Sequence, residues 1–406
     1  MYSGVAFRMA QVMRLNKEYH ELHSFTEQEM RRRTFWACAL LDRMLAYFLA
    51  KPVMLSSANI SIDLPCTDAS LLYLEGSKGI TLHNLDLFQG HASGIGIMPF
   101  LIKTVFLWSD ICQLHISNCR FTRKTPPTDP TSSFYQHHRA MSDWVTSLPP
   151  ALRWSEENYR KHCRMGQSKE FISIHFLIRG SLCIARQSYL PQLDGALLLQ
   201  DRVDAAGWSL LRREPTLISE CVINALETVQ ILSTLLKQNG KEESQVQSIW
   251  LATSIMPVCN TLLWMQYAND PEYGNEEMAR RARDSYTLFC TTIASWKTSW
   301  AAAEAWLDIL EKMDAIYRAV YIDGGDQSIP EEHANPSEVR LEFRPQPGDG
   351  YTPLARVTNM FEMLRFLAND TSVKRTVLHF VWMGLSTGWT NDIFPTDTDF
   401  ANLQFG

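Results

Sequence analysis

Several arrangements in this 406-residue sequence have residue types and spacings that could do chemistry. His20 and His23 stand three apart, close enough on a helix to share a metal ion, but no third ligand lies near them. A solvated segment before Ser24 accounts for both. His137 and His138 are adjacent and point apart on a helix, so joint ligation is not expected. Cys183 follows His175 by eight residues, about two helical turns, which could pair a thiol with a base. A packed helix face explains the same spacing. Gly94-Ile95-Gly96 lacks the third glycine and the preceding strand of a dinucleotide loop, and Gly348-Asp349-Gly350 reads as a turn. Arg31-Arg32-Arg33 could contact phosphate or serve as an import patch. Acids at helical spacing from it argue instead for ion pairs along a helix. No catalytic motif stands out, so neither catalytic nor metal-ligating residues are expected and the chain is not read as an enzyme.

The elements that must position these residues are helices. Periodic apolar spacing predicts them at Ser3–Arg14, Ser24 to about Ala50, Ile97–Cys119, Ser133–Ser147, Phe171–Leu190, Pro215–Gln238, Ser248–Tyr267, Glu276–Ser295 and Ala301–Tyr321. Two more follow at Leu354–Leu367 and Thr371–Leu385. Strand alternation is scarce and no repeat of fixed period occurs. The expected fold class is therefore all-α, a multi-helix domain with long loops and one continuous core over residues 1–320. Breakers lie at Ser56–Ser70, at Ser77–Gly96, and at Thr125-Pro126-Pro127-Thr128-Asp129-Pro130. Residues 321–353, rich in proline, glycine and acid, read as a linker or loop before the helices and tail of 354–406.

Composition bounds the partners. Hydrophobic residues at 46% and charged residues at 20% exclude a disordered or fibrous chain. A net charge of −6 gives no general attraction to polyanions. Nine cysteines, none closer together than Cys112 and Cys119, do not form a disulfide framework and point to thiols in a reducing compartment. The long uncharged run between Glu243 and Asp270 holds several amide and hydroxyl residues and Pro257. It reads as a buried core helix kinked at that proline rather than a membrane span.

The most informative block runs from Gly4 to Cys66. It reads Gly4-Val5-Ala6-Phe7-Arg8-Met9-Ala10, then Glu29-Met30-Arg31-Arg32-Arg33-Thr34-Phe35-Trp36, then Leu41-Asp42-Arg43, and then Lys51-Pro52 and Leu64-Pro65-Cys66. Ser24-Phe25-Thr26-Glu27 is a capping box that starts its main helix. Glu27 with Arg31 and Glu29 with Arg33 are i,i+4 pairs worth roughly 0.2–0.5 kcal/mol each. Arg32 could lie along the Trp36 indole. Three consecutive arginines sweep more than half the helix circumference, so at least one must leave the solvent face. Asp42, set among Leu41, Met44 and Leu45, needs a cationic partner if buried, and Arg8 and Arg43 are the candidates.

This block resembles the middle homology region, or fungal-specific transcription factor domain, of fungal zinc-cluster transcription factors. Arg31 to Cys38 followed by Leu41-Asp42-Arg43 is most similar to the xylanolytic-activator branch. The resemblance marks Gly4, Arg8, Met9, Ala10, Glu29, Arg31, Arg32, Arg33, Trp36, Asp42, Arg43, Pro52, Leu64 and Pro65 as family positions with structural roles. It implies a regulatory domain, at 1–320 here, of a nuclear regulator of RNA polymerase II transcription. Its partners would be DNA through the family's module, coactivators, a second copy, or a small-molecule inducer. The family's zinc cofactor sits in an N-terminal six-cysteine cluster with Cys-x2-Cys spacings. No such spacing occurs here, so the module is expected to be absent, the domain to be N-terminally truncated, and DNA binding by this chain alone is not expected. The alternative is an all-α small-molecule-binding protein or enzyme unrelated to transcription, its twelve tryptophans lining a pocket.

One motif lies at the other end. From Leu385 to Gly406 there is no lysine or arginine, and Asp392, Asp397 and Asp399 alternate with Trp389, Phe394, Phe400 and Phe405. This is a candidate activation tail whose rings dock in a coactivator groove; an ordinary tail packed on the domain is the plainer reading.

Overall fold

The structure, a computed structural model, describes residues 2–49, 51–74, 79–87, 95–116, 128–187, 190, 215–239, 248–267, 270, 272–298 and 302–321. Among these residues there are eleven α-helices and no strand, so the fold is all-α. The expected linker beyond Tyr321, the helices at Leu354–Leu367 and Thr371–Leu385, and the acidic-aromatic tail lie outside the described residues.

Two helices begin the chain. α1 spans Tyr2–Val12 and buries Phe7 and Ala10, while Val5, Met9 and Val12 face outward. It stops two residues short of its expected end because Arg14 turns into the left-handed region at φ 53°. α2, Phe25–Phe48, starts at the anticipated capping box. The Glu27 N–H donates to Ser24 Oγ and the Ser24 N–H donates to Glu27 Oε2 at 2.8 Å. It ends just before Lys51-Pro52, where a helical backbone is disfavoured. A short helix, α3 (Asp68–Leu72), caps on Thr67 inside the segment expected to be loop.

The remaining elements are α4 (Met98–Ile116), α5 (Ser133–Ser147), α6 (Glu156–Arg164), α7 (Ser168–Gln187), α8 (Pro215–Asn239), α9 (Ile249–Tyr267), α10 (Glu276–Ser295) and α11 (Ala302–Tyr321). The α6 helix is new relative to the sequence reading. Ser155 caps it, Glu156 and Glu157 fill its first turn, and Lys161, His162 and Arg164 fill its last.

The core is organised around α7 and α9. The first also packs on α4, α5, α6 and α8, the second on α8, α10 and α11. Their close approach depends on Gly180: a Cβ there would sit 2.8 Å from the Ser254 Cβ. α9 carries Pro257 within an unbroken helix, and its side chains are buried on nearly all sides. That burial explains the long uncharged run. No described helix is long and apolar enough to cross a membrane. An aromatic ladder joins α2 to this centre through Trp36–Phe106 (5.6 Å between centroids), Tyr47–Trp108 (5.0 Å) and Trp108–Trp250 (5.8 Å). The Tyr47 hydroxyl donates to the Thr253 carbonyl of α9 at 3.0 Å.

Candidate functional site

The family-like residues of α2 converge on one buried ion-pair network. Arg32 is fully buried. Its Nε lies 3.1 Å from Glu18 Oε2, its Nη2 3.1 Å from Asp63 Oδ2, and its Nη1 3.5 Å from Glu29 Oε2. Arg33 pairs with Glu29 at 2.9 Å, one turn back, and with exposed Asp68 at 2.7 Å at the start of α3. It also donates to the Cys66 carbonyl, while the Cys66 N–H donates to Glu29 Oε1. Asp63 accepts from the Gly79 N–H at 2.9 Å, and its own N–H donates to Glu18. The Asp63 carbonyl accepts the Trp36 indole N–H at 2.8 Å. The network therefore ties the α1–α2 connection, the middle of α2 and the Asp63–Asp68 segment together, and it places Leu64 and Pro65 inward.

Burial dominates the electrostatics. It raises the Glu29 carboxyl despite Arg33 and Arg32 beside it, and raises Asp63 despite the Gly79 N–H and Arg32. For Arg32 and Arg33 burial pulls the other way, but the surrounding carboxylates outweigh it and hold both guanidinium groups charged.

A second buried pair follows one to two turns later. Asp42 accepts the backbone N–H groups of Met54 and Leu55, at 2.7 to 3.0 Å. Arg43 Nη1 lies 3.9 Å from Asp42, and its guanidinium lies over the Phe106 ring at 3.4 Å. It donates to the Ala39 and Leu55 carbonyls and to Ser57 Oγ. Burial brings its pKa down to about 10. Arg8, the other candidate partner of Asp42, is exposed and bonds Gln11 on its own helix.

Two local expectations change, and the packed-face reading of His175 and Cys183 stands. Arg32 points to carboxylates rather than along the Trp36 indole, because three acids surround it. Glu27 closes the capping box. Arg31 instead donates to the Met13 and Arg14 carbonyls and lies over the Tyr19 ring. His175 and Cys183 diverge: His175 Nε2 bonds the Leu152 carbonyl, whereas Cys183 Sγ faces the Cys221 carbonyl. Gly4, Met9 and Pro52 are not part of the network; Ala10 packs in the core.

Chemically the network is a clamp. Two of the three adjacent arginines, Arg32 and Arg33, are enclosed with carboxylates, so the triplet does not present a phosphate-binding row. Among the described residues no group of three or more His, Cys, Asp or Glu could hold a metal ion. His20 sits beside Gln28, with Nδ1 3.3 Å from Oε1. The residues that sequence reasoning missed are Glu18, Asp63, Asp68 and Phe106. Asp63 alone carried a signal, since it directly precedes the Leu64-Pro65 pair.

Part of the chain is similar in sequence to known proteins. Residues 1–146 match the family described as fungal specific transcription factor domain. The Zn(2)-C6 fungal-type transcription factor FTF1c of Fusarium oxysporum f. sp. lycopersici is 26% identical over 199 residues, 44% of this chain and 21% of its own length. A Schizosaccharomyces pombe protein named as an uncharacterized transcriptional regulatory protein is 26% identical over 205 residues, 45% of this chain and 21% of its own. A second protein so named from that yeast is 26% identical over 196 residues, 41% and 27% respectively. The chain thus spans about a fifth to a quarter of the length of these relatives. No solved structure matches.

Proposed function

We propose that this chain is the regulatory domain of a fungal transcription factor, acting in the nucleus on RNA polymerase II transcription and without an active site of its own. The observation that carries this reading is the match of residues 1–146 to the fungal specific transcription factor domain, a span that contains the whole α2 clamp. The clamp supports a positioning role for Glu29, Arg32, Arg33, Asp42 and Arg43 rather than a chemical one. The Arg31 to Arg43 wording supports the xylanolytic-activator branch. Specific DNA contact would require the family's zinc module, whose Cys-x2-Cys pairs this sequence does not contain. Coactivators, a second copy and a small-molecule inducer are the partners this role calls for, and Asp392, Phe394, Asp397, Asp399, Phe400 and Phe405 are the residues we assign to coactivator docking.

The test fuses all 406 residues to a heterologous DNA-binding domain in a yeast reporter strain. Reporter output should differ several-fold from the DNA-binding domain alone, and Arg32→Ala should remove the difference. Output equal to the DNA-binding domain, with the fusion expressed and folded, would sink the reading. Residues 385–406 fused separately should activate, and Phe394→Ala, Phe400→Ala and Phe405→Ala together should abolish it.

A further inference from the structure

The exposed apolar side chains of this protein are unevenly spread. Among the described residues thirteen large ones are exposed, and all but Met165 and Ile223 lie at or before Leu87, although most of the described residues come after it. On α1, Val5, Met9 and Val12 fall within about 60° of one another around the helix, opposite the buried Phe7 and Ala10. Single exposed apolar residues are ordinary, whereas a stripe along a helix marks a contact surface. At the end of α3, Leu72, Tyr73 and Leu74 are 75%, 71% and 63% exposed. Leu74 also stands at φ 57°, a left-handed position that glycine adopts more easily, so an outward leucine is held there against its backbone preference.

The two clusters belong to one surface. On α2, Arg31 donates to the Met13 and Arg14 carbonyls at the end of α1, and Arg33 reaches the Cys66 carbonyl and Asp68 at the start of α3. Exposed Met30 sits between those two sides of α2 and away from buried Arg32. The α1 stripe, Met30 and the end of α3 therefore follow one another across the outer face of α2. The two ends of this surface differ in charge. Arg8, Arg14 and Lys17 are exposed, with no acid among residues 1–17 and no acidic partner among the described residues. The α3 end presents Asp68, which is 79% exposed even in contact with Arg33.

We propose that this surface is a homodimer interface in which, across a two-fold axis near Met30, the α1 stripe of each chain docks on the α3 end of the other. A two-fold contact sets a patch against its own inverted copy. A patch that is basic at one end and acidic at the other is then complementary to itself, with Arg8 and Arg14 directed towards Asp68 of the partner subunit. Burial of the apolar stripe supplies the attraction, and the charges set the direction of docking. Placing α1 against α1 would instead oppose the two sets of arginines. The choice of a second copy as occupant rests on the regulatory reading, which calls for such a partner, and on this charge asymmetry.

The experiment weighs the full chain in solution by sedimentation equilibrium over a concentration series. The native protein should reach the mass of two chains. Met9→Glu with Val12→Glu in one variant, and Leu72→Lys with Tyr73→Lys in another, should each halve that mass. All four side chains are exposed, so circular dichroism and the melting temperature should stay close to the native values. Mixed together, the two variants should recover the mass of two chains as a heterodimer. One half of that interface is native on both sides, and the other sets glutamate against lysine. A native chain that stays monomeric at every concentration would overturn the proposal. So would either variant remaining dimeric, or a mixture that stays monomeric. Met9 and Met13 resisting peroxide oxidation in a monomeric native chain would place another segment of the same chain on the stripe, and would overturn it too. The native mass needs no variant, so a poorly folding one leaves the proposal testable. Because mass is read rather than reporter output, this proposal and the regulatory reading fail separately.

Discussion

Arg32 concentrates the argument at the scale of single residues. Its guanidinium is the common partner of Glu18, Glu29 and Asp63, so removing it leaves several acids clustered and undercompensated. Breaking a buried pair from one side costs far more than an exposed pair contributes. Arg32→Ala should therefore destabilise by about 3–5 kcal/mol, whereas neighbouring Arg31→Ala, which loses two long bonds to carbonyls, should cost below about 1 kcal/mol. Urea unfolding of both variants checks this, and equal midpoints would show that the network adds nothing. The sequence revealed that three adjacent arginines could not all face solvent, and that Glu29 stood one turn before Arg33. It did not reveal Glu18 or Asp63. Those acids lie fourteen residues before and thirty-one after Arg32, in segments without periodicity, and only the folded path of the chain brings them together.

At the scale of elements, what was legible is what local physics decides. α5 and α10 run over the same residues that their apolar spacing predicted, and α2 begins at its capping box. The α6 helix escaped because it is short and mostly charged, so hydrophobic period gave little signal, although Ser155-Glu156-Glu157 is a start pattern in itself. α1 ended early because the left-handed turn at Arg14 leaves no mark in an apolar pattern. The capping box gives a bounded expectation. Ser24→Ala removes the acceptor of the Glu27 N–H and a partner of its carboxylate, and should cost about 1 kcal/mol. Ser24→Asn should restore most of that. A thermal melt in which Ser24→Ala matches the parent would show that the tertiary packing of α2 alone fixes its start. Gly96 illustrates a constraint that sequence hides. Its φ is +80°, and a Cβ there would meet Thr67 Cγ2 at 2.7 Å, which ties the entry to α4 to the start of α3.

Two consequences belong to the whole molecule, and pH carries the first. Burial, with Arg179 nearby, holds His175 down at about 3, and burial with Arg186 holds His138 at about 4. Both lie below the ordinary 6.5, so between those values the unfolded chain binds protons that the folded chain refuses. The stability these neutral imidazoles permit is complete above 6.5 and is lost as pH falls toward 4. Glu29, Asp63 and Asp110, raised by burial, act in the opposite sense, so the parent curve is a sum. His175→Gln isolates one contribution, because the amide can still donate to the Leu152 carbonyl. Between pH 6.5 and 4.5 the variant should lose about 2 kcal/mol less than the parent. Parallel stability curves would show that the folded state admits the proton.

The second is what the chain does with zinc and DNA. A six-cysteine zinc-cluster module draws its ligands from closely spaced Cys-x2-Cys pairs, a spacing that does not occur in this sequence. Here the closest two are Cys112 and Cys119, and the described thiols sit on or beside different helices, four of them fully enclosed. Duplex DNA would also need phosphate contacts. The one cationic run that resembled such a patch gives two of its arginines to buried carboxylates and turns the third toward carbonyls and Tyr19. With a net charge of −6 over 406 residues, long-range attraction to the phosphate backbone is lacking as well. The purified chain should therefore carry no stoichiometric zinc and leave no footprint on defined duplexes that survives physiological salt. Atomic absorption and footprinting at low and physiological salt are the measurements. Two zinc ions per chain, or a protected site that persists as salt rises, would mean that this sequence builds a DNA-reading surface from residues outside the clamp.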